Sequence, residues 1–283
     1  MSIAIKSFTW ILWIGIIILS ACKKEKTIEP VKETIPVDTE FIETVPPVLK
    51  PNTIAISTTI GGYYSGLPYT YNDNSKRYPL LIALHGGGQY GNGAMDLPLL
   101  LNDGIPQLLD EKKFPPNFKV NGKNFSFIIL APQYSWYPAV EEIKSFIDYA
   151  VKNFRVDTTR IYFTGLSAGG SISTDVGAEY ASQIAAIVPI SGVYPADSNM
   201  VKKCSKIAKA NLPVWIFHNI NDPIVTSEQA QNYFTILKSF NQPLLPKLTL
   251  FDDSKHDAWT LAIDPAFKEN KMNIYEWMLQ YSR

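Results

Sequence analysis

The stretch IYFTGLSAGG, residues 161–170, combines two signals that predict both a fold and a site. Its first four residues form an apolar run typical of a buried strand, and the next five match the pattern G-x-S-x-G. In this pattern the serine lies on a sharp turn between a strand and a helix, where a side chain two residues away on either side would collide with the turn. The stretch therefore predicts a strand that leads directly into a helix, with the Ser167 hydroxyl presented between them.

Short apolar runs of the same kind recur along the chain. They lie at residues 80–84, 125–131, 184–190 and 214–217, with earlier strands expected at 54–60 and 63–71 and a weaker one at 247–251. Apolar residues spaced three and four apart predict amphipathic helices over 139–153, 226–240 and 265–280. Such alternation is typical of an α/β fold with a mainly parallel central sheet flanked by helices. Functional groups in such sheets lie on loops after the carboxyl ends of the strands.

The composition of the 283 residues excludes several classes of protein. Hydrophobic residues make up 46% and charged residues 18%, which provides enough apolar surface for a core. Lysine and arginine together number 26, as do aspartate and glutamate, so the formal net charge is zero and a nucleic-acid partner is not expected. Two cysteines, and three histidines without metal-ligand spacing, argue against a disulfide scaffold and a bound metal. We expect no cofactor.

The N-terminal segment differs from the rest of the chain. A lysine precedes an apolar run at 8–19, whose length suits a secretory signal peptide. The run ends in Leu-Ser-Ala-Cys, which resembles a bacterial lipobox. We therefore expect a signal peptide at 1–21, a lipid on Cys22, and a flexible proline-rich and charged tether over 22–51. The globular domain is expected over 52–283.

This arrangement predicts a protein of the bacterial cell envelope that is held to a membrane by its lipid. The sequence does not distinguish the periplasmic face from the cell surface. The alternatives are an ordinary signal peptide with an incidental cysteine, or an uncleaved anchor. If Cys22 carries the lipid, Cys204 has no partner in the chain and is expected to be a free thiol.

A serine nucleophile needs a general base, and the chain offers three histidines. His256 lies in a polar loop after the strand expected at 247–251, and it comes last in chain order, as this strand–turn–helix arrangement requires. His85 and His218 each follow a strand directly, where a hydrogen-bonded structural histidine is the commoner outcome. His256 is therefore the predicted base.

The acid that orients the base is expected between the serine and the histidine in chain order. Asp222 follows the strand expected at 214–217, at the edge of the sheet where the serine also lies. A plain Asn-Asp-Pro turn is the alternative reading of this segment. Three aspartates compete with it but lie close to the histidine in sequence: Asp252, Asp253 and Asp257.

An oxyanion hole is the third requirement, and residues 85–91 read HGGGQYG. This run resembles the HGGG-type motif, whose backbone N–H groups polarise a carbonyl. We expect the amides of Gly87 (or Gly88) and Ala168 to form the hole. The run also satisfies G-x-G-x-x-G, but a dinucleotide site needs a helix starting on the glycines, and Asp-Leu-Pro at 96–98 delays any helix.

The segments YPLLIALHGGG, GLSAGG, HNINDPIV and KHDAW resemble the α/β-hydrolase superfamily. They are most similar to secreted esterases related to prolyl-oligopeptidase-type hydrolases, feruloyl esterases and polyhydroxybutyrate depolymerases, and the resemblance covers residues 60–283. It implies an α/β-hydrolase fold with a minimal cap or none. It also implies that Ser167, Asp222 and His256 form a catalytic triad for acyl transfer.

The expected substrate is a small-molecule or polysaccharide ester, with an acetyl or feruloyl group on a carbohydrate. Gln133 and Trp136 follow a strand end, and Trp259 and Tyr90 are further candidates to line the site. Aromatic faces suit sugar rings or a feruloyl group, although ordinary rim and core aromatics would look the same. A small-peptide or lipid-ester hydrolase, and a catalytically silent binding lipoprotein, are the alternative functions.

Overall fold

The computed structural model describes residues 42–193 and 198–283. The predicted signal peptide, the predicted lipid site at Cys22 and most of the predicted tether lie outside the described residues. No helix in the described ranges combines the length and the hydropathy needed to cross a membrane.

Eight of the ten strands in the described residues form one sheet, in the order β1-β2-β6-β3-β7-β8-β9-β10. The pairs β1–β2 and β2–β6 are antiparallel and the other pairs are parallel, which confirms the predicted α/β fold. The short strands β4 and β5 form a separate hairpin. The bounds are β1 Val48–Asn52, β2 Ile60–Leu67, β3 Tyr78–Leu84, β4 Phe118–Val120, β5 Lys123–Phe125, β6 Ile128–Tyr134, β7 Val156–Leu166, β8 Ala186–Ile190, β9 Trp215–Asn219 and β10 Lys247–Phe251.

Seven α-helices occur in the described residues and flank this sheet. They are α1 Gly104–Asp110, α2 Val140–Asn153, α3 Ala168–Glu179, α4 Ser198–Lys209, α5 Ser227–Ser239, α6 Ala258–Ala262 and α7 Ile274–Met278. The predicted helix over 265–280 is wrong for most of its length. Its apolar spacing is interrupted by Asn270 and Lys271, whose positive φ angles form a tight turn that a right-handed helix does not allow.

The core lies on both faces of the sheet. All seven residues of β3 are buried, and they alternate between the two faces. Leu80, Ile82 and Leu84 pack in one hydrophobic cluster, while Leu81 and Ala83 pack in the other. The continuous apolar run at 80–84 therefore marks a strand that is covered on both sides, as predicted.

The folded domain begins before the predicted boundary at residue 52. Strand β1 pairs along its whole length with β2, so residues 48–51 belong to the sheet and not to a flexible tether. The buried Glu43 carboxylate also accepts hydrogen bonds from the backbone and hydroxyl of Thr70. The strand expected at 54–60 is wrong, because extended pairing starts only at Ile60.

Candidate active site

Ser167 is the single residue between the end of β7 and the start of α3. Its backbone has φ 53° and ψ −118°, a strained conformation that costs on the order of 1–3 kcal/mol. A Cβ on Gly165 would lie 2.1 Å from the carbonyl oxygen of Gly169, and one on Gly169 would lie 2.3 Å from that of Leu84. Both glycines of the G-x-S-x-G pattern are thus required by close backbone approach, which confirms the steric reason for the motif.

The structure brings the hydroxyl of Ser167 together with the two partners predicted for it. His256 Nε2 lies 2.9 Å from Ser167 Oγ, and His256 Nδ1 lies 2.7 Å from Asp222 Oδ2. The histidine comes from the loop after β10, and the aspartate from the loop after β9. Because β7, β9 and β10 are parallel, their carboxyl ends meet at one edge of the sheet.

The Asp222 carboxylate is fully buried and its orientation is fixed on both oxygens. Oδ1 accepts hydrogen bonds from the backbone N–H groups of Ile224 and Val225, at 2.9 and 3.0 Å. Oδ2 faces His256. The Asp-Pro turn therefore exists, but it serves to aim the carboxylate at the histidine. Buried charge is tolerated here because both oxygens have hydrogen-bond partners.

His85 is held in the core and does not reach the serine. Its Nδ1 donates to the carbonyl of Gly86 at 2.7 Å, and its Nε2 accepts from the backbone N–H of Tyr134 at 3.1 Å. Burial lowers the pKa of His85 to about 4, so the ring is neutral near pH 7. Its ring stacks on that of Tyr134, with centroids 3.6 Å apart.

His218 is also fully buried, but it lies beside the acid. Its Nε2 donates to the carbonyl of Val225 at 2.8 Å and is 3.4 Å from Asp222 Oδ2. Burial lowers the pKa of His218. Its other ring nitrogen, Nδ1, is buried without a hydrogen-bond partner. His218 therefore lies next to the Asp222 carboxylate in the protein interior, while His256 bonds to the same carboxylate and to Ser167.

The competing aspartates near His256 have other roles or stay in solvent. Asp253 accepts hydrogen bonds from the backbone N–H groups of Ser254 and Lys255, and Asp257 accepts from the side chain of Asn219. Asp252 is exposed. Of the described aspartates, Asp222 is the one that bonds to the histidine beside Ser167.

The two amides expected in the oxyanion hole both begin a helical turn. Ala168 is the first residue of α3, and Gly87 is the first residue of a 3-10 turn over Gly87–Gln89. The first N–H groups of a helix have no acceptor within it. Gly86 places this loop against the nucleophile, because a Cβ there would lie 3.4 Å from that of Ser167. The geometry is compatible with the predicted hole.

Gln133 does not line the site, and the prediction that it binds substrate is wrong. It is the sixth residue of β6 and its side chain is fully buried. Its amide nitrogen donates to the carbonyls of Gln89 and Asp96, and its oxygen accepts from the N–H of Gly93, at 2.7–3.1 Å. Gln133 therefore braces the loop that carries Gly87.

Trp136 presents an aromatic face to solvent beside that loop. Its side chain is 71% exposed, and it stacks on Tyr90 with centroids 5.9 Å apart and planes at 25°. Tyr90 in turn makes edge contacts with Tyr134 and His85. A Cβ on Gly87 would lie 3.5 Å from the Tyr90 ring. The exposed tryptophan therefore stacks on Tyr90, which packs against Tyr134 and His85 next to the predicted oxyanion loop.

Trp259 packs edge-on against the ring of His256, the predicted general base, with ring centroids 5.2 Å apart. It is mostly buried, and its indole N–H donates to Asp103 at 3.2 Å. Trp259 also lines a groove of about 570 Å³ between α1 and α6, here called the α1–α6 groove. The groove is lined by Gly104, Gln107, Leu108, Glu111, Lys113, Trp259, Thr260, Ile263, Asp264, Pro265 and Ala266.

Sequence reasoning missed every polar residue of this groove. Gln107 and Glu111 come from α1, whereas Thr260 and Asp264 come from a segment about 150 residues later. No motif or spacing links the two segments, and only the folded sheet brings them together.

The sequence of this chain is similar to that of known esterases. Residues 125–267 match the family model described as Phospholipase/Carboxylesterase, which is just over half of the chain. The chain is 28% identical over 171 residues to the bifunctional acetylxylan esterase/xylanase XynS20E of Neocallimastix patriciarum. That match covers 58% of this chain and 22% of the relative, so the chain spans about a fifth of the relative's length.

Solved structures share the fold at low sequence identity. One is a thermostable esterase, with a TM-score of 0.57, 21% identity, and coverage of 86% of this chain and 64% of that chain. Another is the CE1 ferulic acid esterase of Anaeromyces mucronatus in complex with ferulic acid, with a TM-score of 0.53, 20% identity, and coverage of 76% and 87%. Both likenesses concern the arrangement of sheet and helices.

Proposed function

The chain belongs to the phospholipase/carboxylesterase family, and from this membership we propose that it is a serine ester hydrolase that acts on carbohydrate-linked acetyl or feruloyl esters. One observation carries the proposal. The strained Ser167 hydroxyl, the His256 ring and the buried Asp222 carboxylate form a continuous hydrogen-bonded chain, with distances of 2.9 and 2.7 Å. These are the parts that activated serine nucleophiles require.

The proposed reaction has two acyl-transfer steps. His256 Nε2 takes the Ser167 proton as Oγ bonds to the ester carbonyl carbon, and the carbonyl oxygen becomes an oxyanion. The amides of Gly87 and Ala168 donate to that oxygen. His256 then gives the proton to the leaving alcohol oxygen as the ester C–O bond breaks. Water repeats the sequence on the acyl-enzyme and releases the acid.

Asp222 has a separate part in this mechanism. Its Oδ2 accepts the Nδ1–H of His256, which leaves the Nε2 lone pair aimed at the serine. Its charge also stabilises the imidazolium that forms during each step. Because the carboxylate is buried and held by two backbone N–H groups, it needs little reorganisation when the charge appears.

Two observations favour a carbohydrate-linked ester. The relative named above is an acetylxylan esterase/xylanase, and one structural neighbour binds ferulic acid. Trp136 offers an exposed aromatic face beside the oxyanion loop, and such a face can pack on a sugar ring or a feruloyl ring. Lipid esters, small peptides and ligand binding without turnover are the competing functions.

An activity panel with wild type and Ser167→Ala tests the proposal. The panel holds acetylated xylo-oligosaccharides, a feruloylated arabino-oligosaccharide, p-nitrophenyl esters of short and long acids, and a peptide amide. We expect turnover of short acyl esters and of at least one carbohydrate ester, all lost in Ser167→Ala. Preference for long-chain esters or amides would replace the proposed substrate, and no turnover of any member would favour the silent binder.

We also propose that Cys22 is lipidated and anchors the protein to a membrane of the cell envelope, on the strength of the Leu-Ser-Ala-Cys sequence after the apolar run. In a bacterial host, Cys22→Ser should move the protein from the membrane fraction to the soluble fraction. Retention in the membrane would point to an uncleaved anchor.

A further inference from the structure

We propose that His218 is a positioning residue of this site, which closes the turn that carries the Asp222 carboxylate and so keeps that carboxylate aimed at His256. The inference rests on the proposed ester hydrolysis and gives a part in it to the second histidine beside the acid. Its starting point is one ring nitrogen. His218 Nε2 lies 2.8 Å from the carbonyl oxygen of Val225 and 3.4 Å from Asp222 Oδ2.

Val225 is the residue through which the ring of His218 reaches the acid. The backbone N–H of Val225 donates to Asp222 Oδ1 at 3.0 Å, and its carbonyl accepts from His218 Nε2. One residue of the turn is therefore bonded both to the carboxylate and to a fully buried ring. Without the ring, the Val225 carbonyl loses this hydrogen bond and the turn can rotate. Rotation of the turn moves Oδ1, and with it the direction in which Oδ2 faces His256.

The 222–225 turn depends on such bonds because it has little apolar packing. Pro223 and Ile224 are exposed, and Val225 is only partly buried. His218, in contrast, is the fourth residue of β9, a strand whose five residues are all buried. Its bond to Val225 therefore ties an exposed turn to a strand of the main sheet, and the position of the acid follows from that strand.

The hydrogen bond also fixes which ring nitrogen of His218 carries the proton. A carbonyl oxygen can only accept, so Nε2 is protonated and Nδ1 carries the lone pair. Nδ1 is buried and has no hydrogen-bond partner, so no acceptor awaits a second proton there. Burial lowers the pKa of His218, and the ring is neutral near pH 7. His218 therefore orients Asp222 without adding a second cation that would compete with the His256 imidazolium for its charge.

Kinetics on p-nitrophenyl acetate test the positioning role with two variants of the same residue. His218→Leu removes the ring donor, whereas His218→Gln keeps an amide N–H close to the position of Nε2. We expect His218→Leu to lower kcat by about 10- to 100-fold with little change in KM, because a misplacement of about 1 Å can cost roughly 100-fold. His218→Gln should restore most of that loss.

Gln242→Leu is the matched control for the loss of a buried polar side chain. Gln242 is buried and donates to the carbonyls of Leu212 and Leu244, which precede the starts of β9 and β10. It therefore lies at the opposite edge of the sheet from Ser167. We expect Gln242→Leu to lower Tm and to leave kcat near the wild-type value.

A double-mutant cycle separates positioning from a general loss of structure. His218→Leu is measured alone and in the Asp222→Asn background. If His218 acts through the carboxylate, its removal has little further effect on kcat once the carboxylate is gone. An equal fall in both backgrounds, or a His218→Gln variant no better than His218→Leu, would overturn the inference while leaving ester hydrolysis intact.

Nitrogen NMR of histidine-labelled protein tests the same point without any turnover. At a pH where the rings are neutral, we expect the proton of His218 on Nε2 and that of His256 on Nδ1, with His85, which donates from Nδ1, as an internal reference. In His218→Leu the ring of His256 should become a mixture of tautomers, and His218→Gln should restore the Nδ1–H form. A proton on Nδ1 of His218, or a His256 tautomer unchanged in His218→Leu, would overturn the inference whether or not an ester is hydrolysed.

Discussion

The Ser167–His256–Asp222 centre and the α1–α6 groove adjoin each other, yet they are built in different ways. Each member of the centre lies on the turn or loop that follows a strand, and the Asp222 carboxylate is aimed by the backbone N–H groups of Ile224 and Val225. The groove is walled by side chains from two helices that are far apart in the chain. Each member of the centre is therefore positioned by the end of its own strand, whereas the groove depends on how helices from distant parts of the chain pack together.

The largest effect should follow from removing the base, because every proton transfer in the proposed reaction passes through His256. His256→Ala is expected to lower kcat on p-nitrophenyl acetate by about 10⁶-fold, as in a comparable triad. His218→Asn is the companion variant at the other histidine beside Asp222. A loss as large in His218→Asn as in His256→Ala would show that the base has been assigned to the wrong histidine.

Asp222→Asn should have the next largest effect, since the amide oxygen stays with the N–H groups of Ile224 and Val225 and the amide NH2 then faces His256 Nδ1, which favours the wrong ring tautomer. By analogy with the triad template we expect a fall in kcat of about 10⁴-fold with little change in KM. Asp253→Asn, in the same region of the site, is the control and should stay near wild type. The reverse ranking, measured by steady-state kinetics, would move the acid to Asp253.

Gln133→Leu tests how far the centre depends on a residue that supports it from the core, because Gln133 braces the loop of Gly87. It removes the hydrogen-bond partner of the buried Gly93 N–H and that of the Gln89 carbonyl, at a cost of about 1–3 kcal/mol for a typical unpaired group, while the Asp96 carbonyl keeps the N–H of Leu99. We expect kcat to fall by about 10²-fold, the effect of one misplaced oxyanion donor, and Tm to fall by several degrees. Unchanged Tm and kcat would contradict the bracing role.

Trp136→Ala should have the smallest effect and should act on recognition only. The variant removes an exposed aromatic face worth roughly 0.5–1.5 kcal/mol, so KM for a feruloylated or sugar ester should rise about 3- to 10-fold. Turnover of p-nitrophenyl acetate at saturation should not change. A fall in kcat for every substrate would mean that Trp136 supports the oxyanion loop through Tyr90 and not the substrate.

Features that depend on one stretch of sequence could be predicted, whereas features that depend on tertiary packing could not. The strand at 80–84 was predictable because its apolar run is continuous, and the helix near 139–153 because its apolar residues recur every three or four positions. The positions of Ser167, Asp222 and His256 were predictable because each follows a strand on a polar or glycine-rich loop. Because these strands are parallel, their carboxyl ends lie at one edge of the sheet, and this brings the three side chains together.

The predictions that failed depended on tertiary packing. Gln133 looked like a loop residue, but β6 continues through Tyr134 and turns its side chain inward. Residues 48–51 looked like the end of a tether because Pro51 continues a proline-rich segment, yet an edge strand tolerates proline where its N–H would face away from the ladder. The groove had no sequence signal at all, since Gln107 and Thr260 become neighbours only in the folded chain.

The central claim is that Ser167 is an activated nucleophile, and covalent labelling tests it most directly. Wild type, Ser167→Ala and His256→Ala are treated with a fluorophosphonate probe, and the modified residue is mapped by peptide mass spectrometry. The hydrogen-bonded chain predicts one adduct per protein, on Ser167, with labelling abolished in Ser167→Ala and slowed by orders of magnitude in His256→Ala. No adduct in wild type, or an adduct that persists in Ser167→Ala, would contradict it.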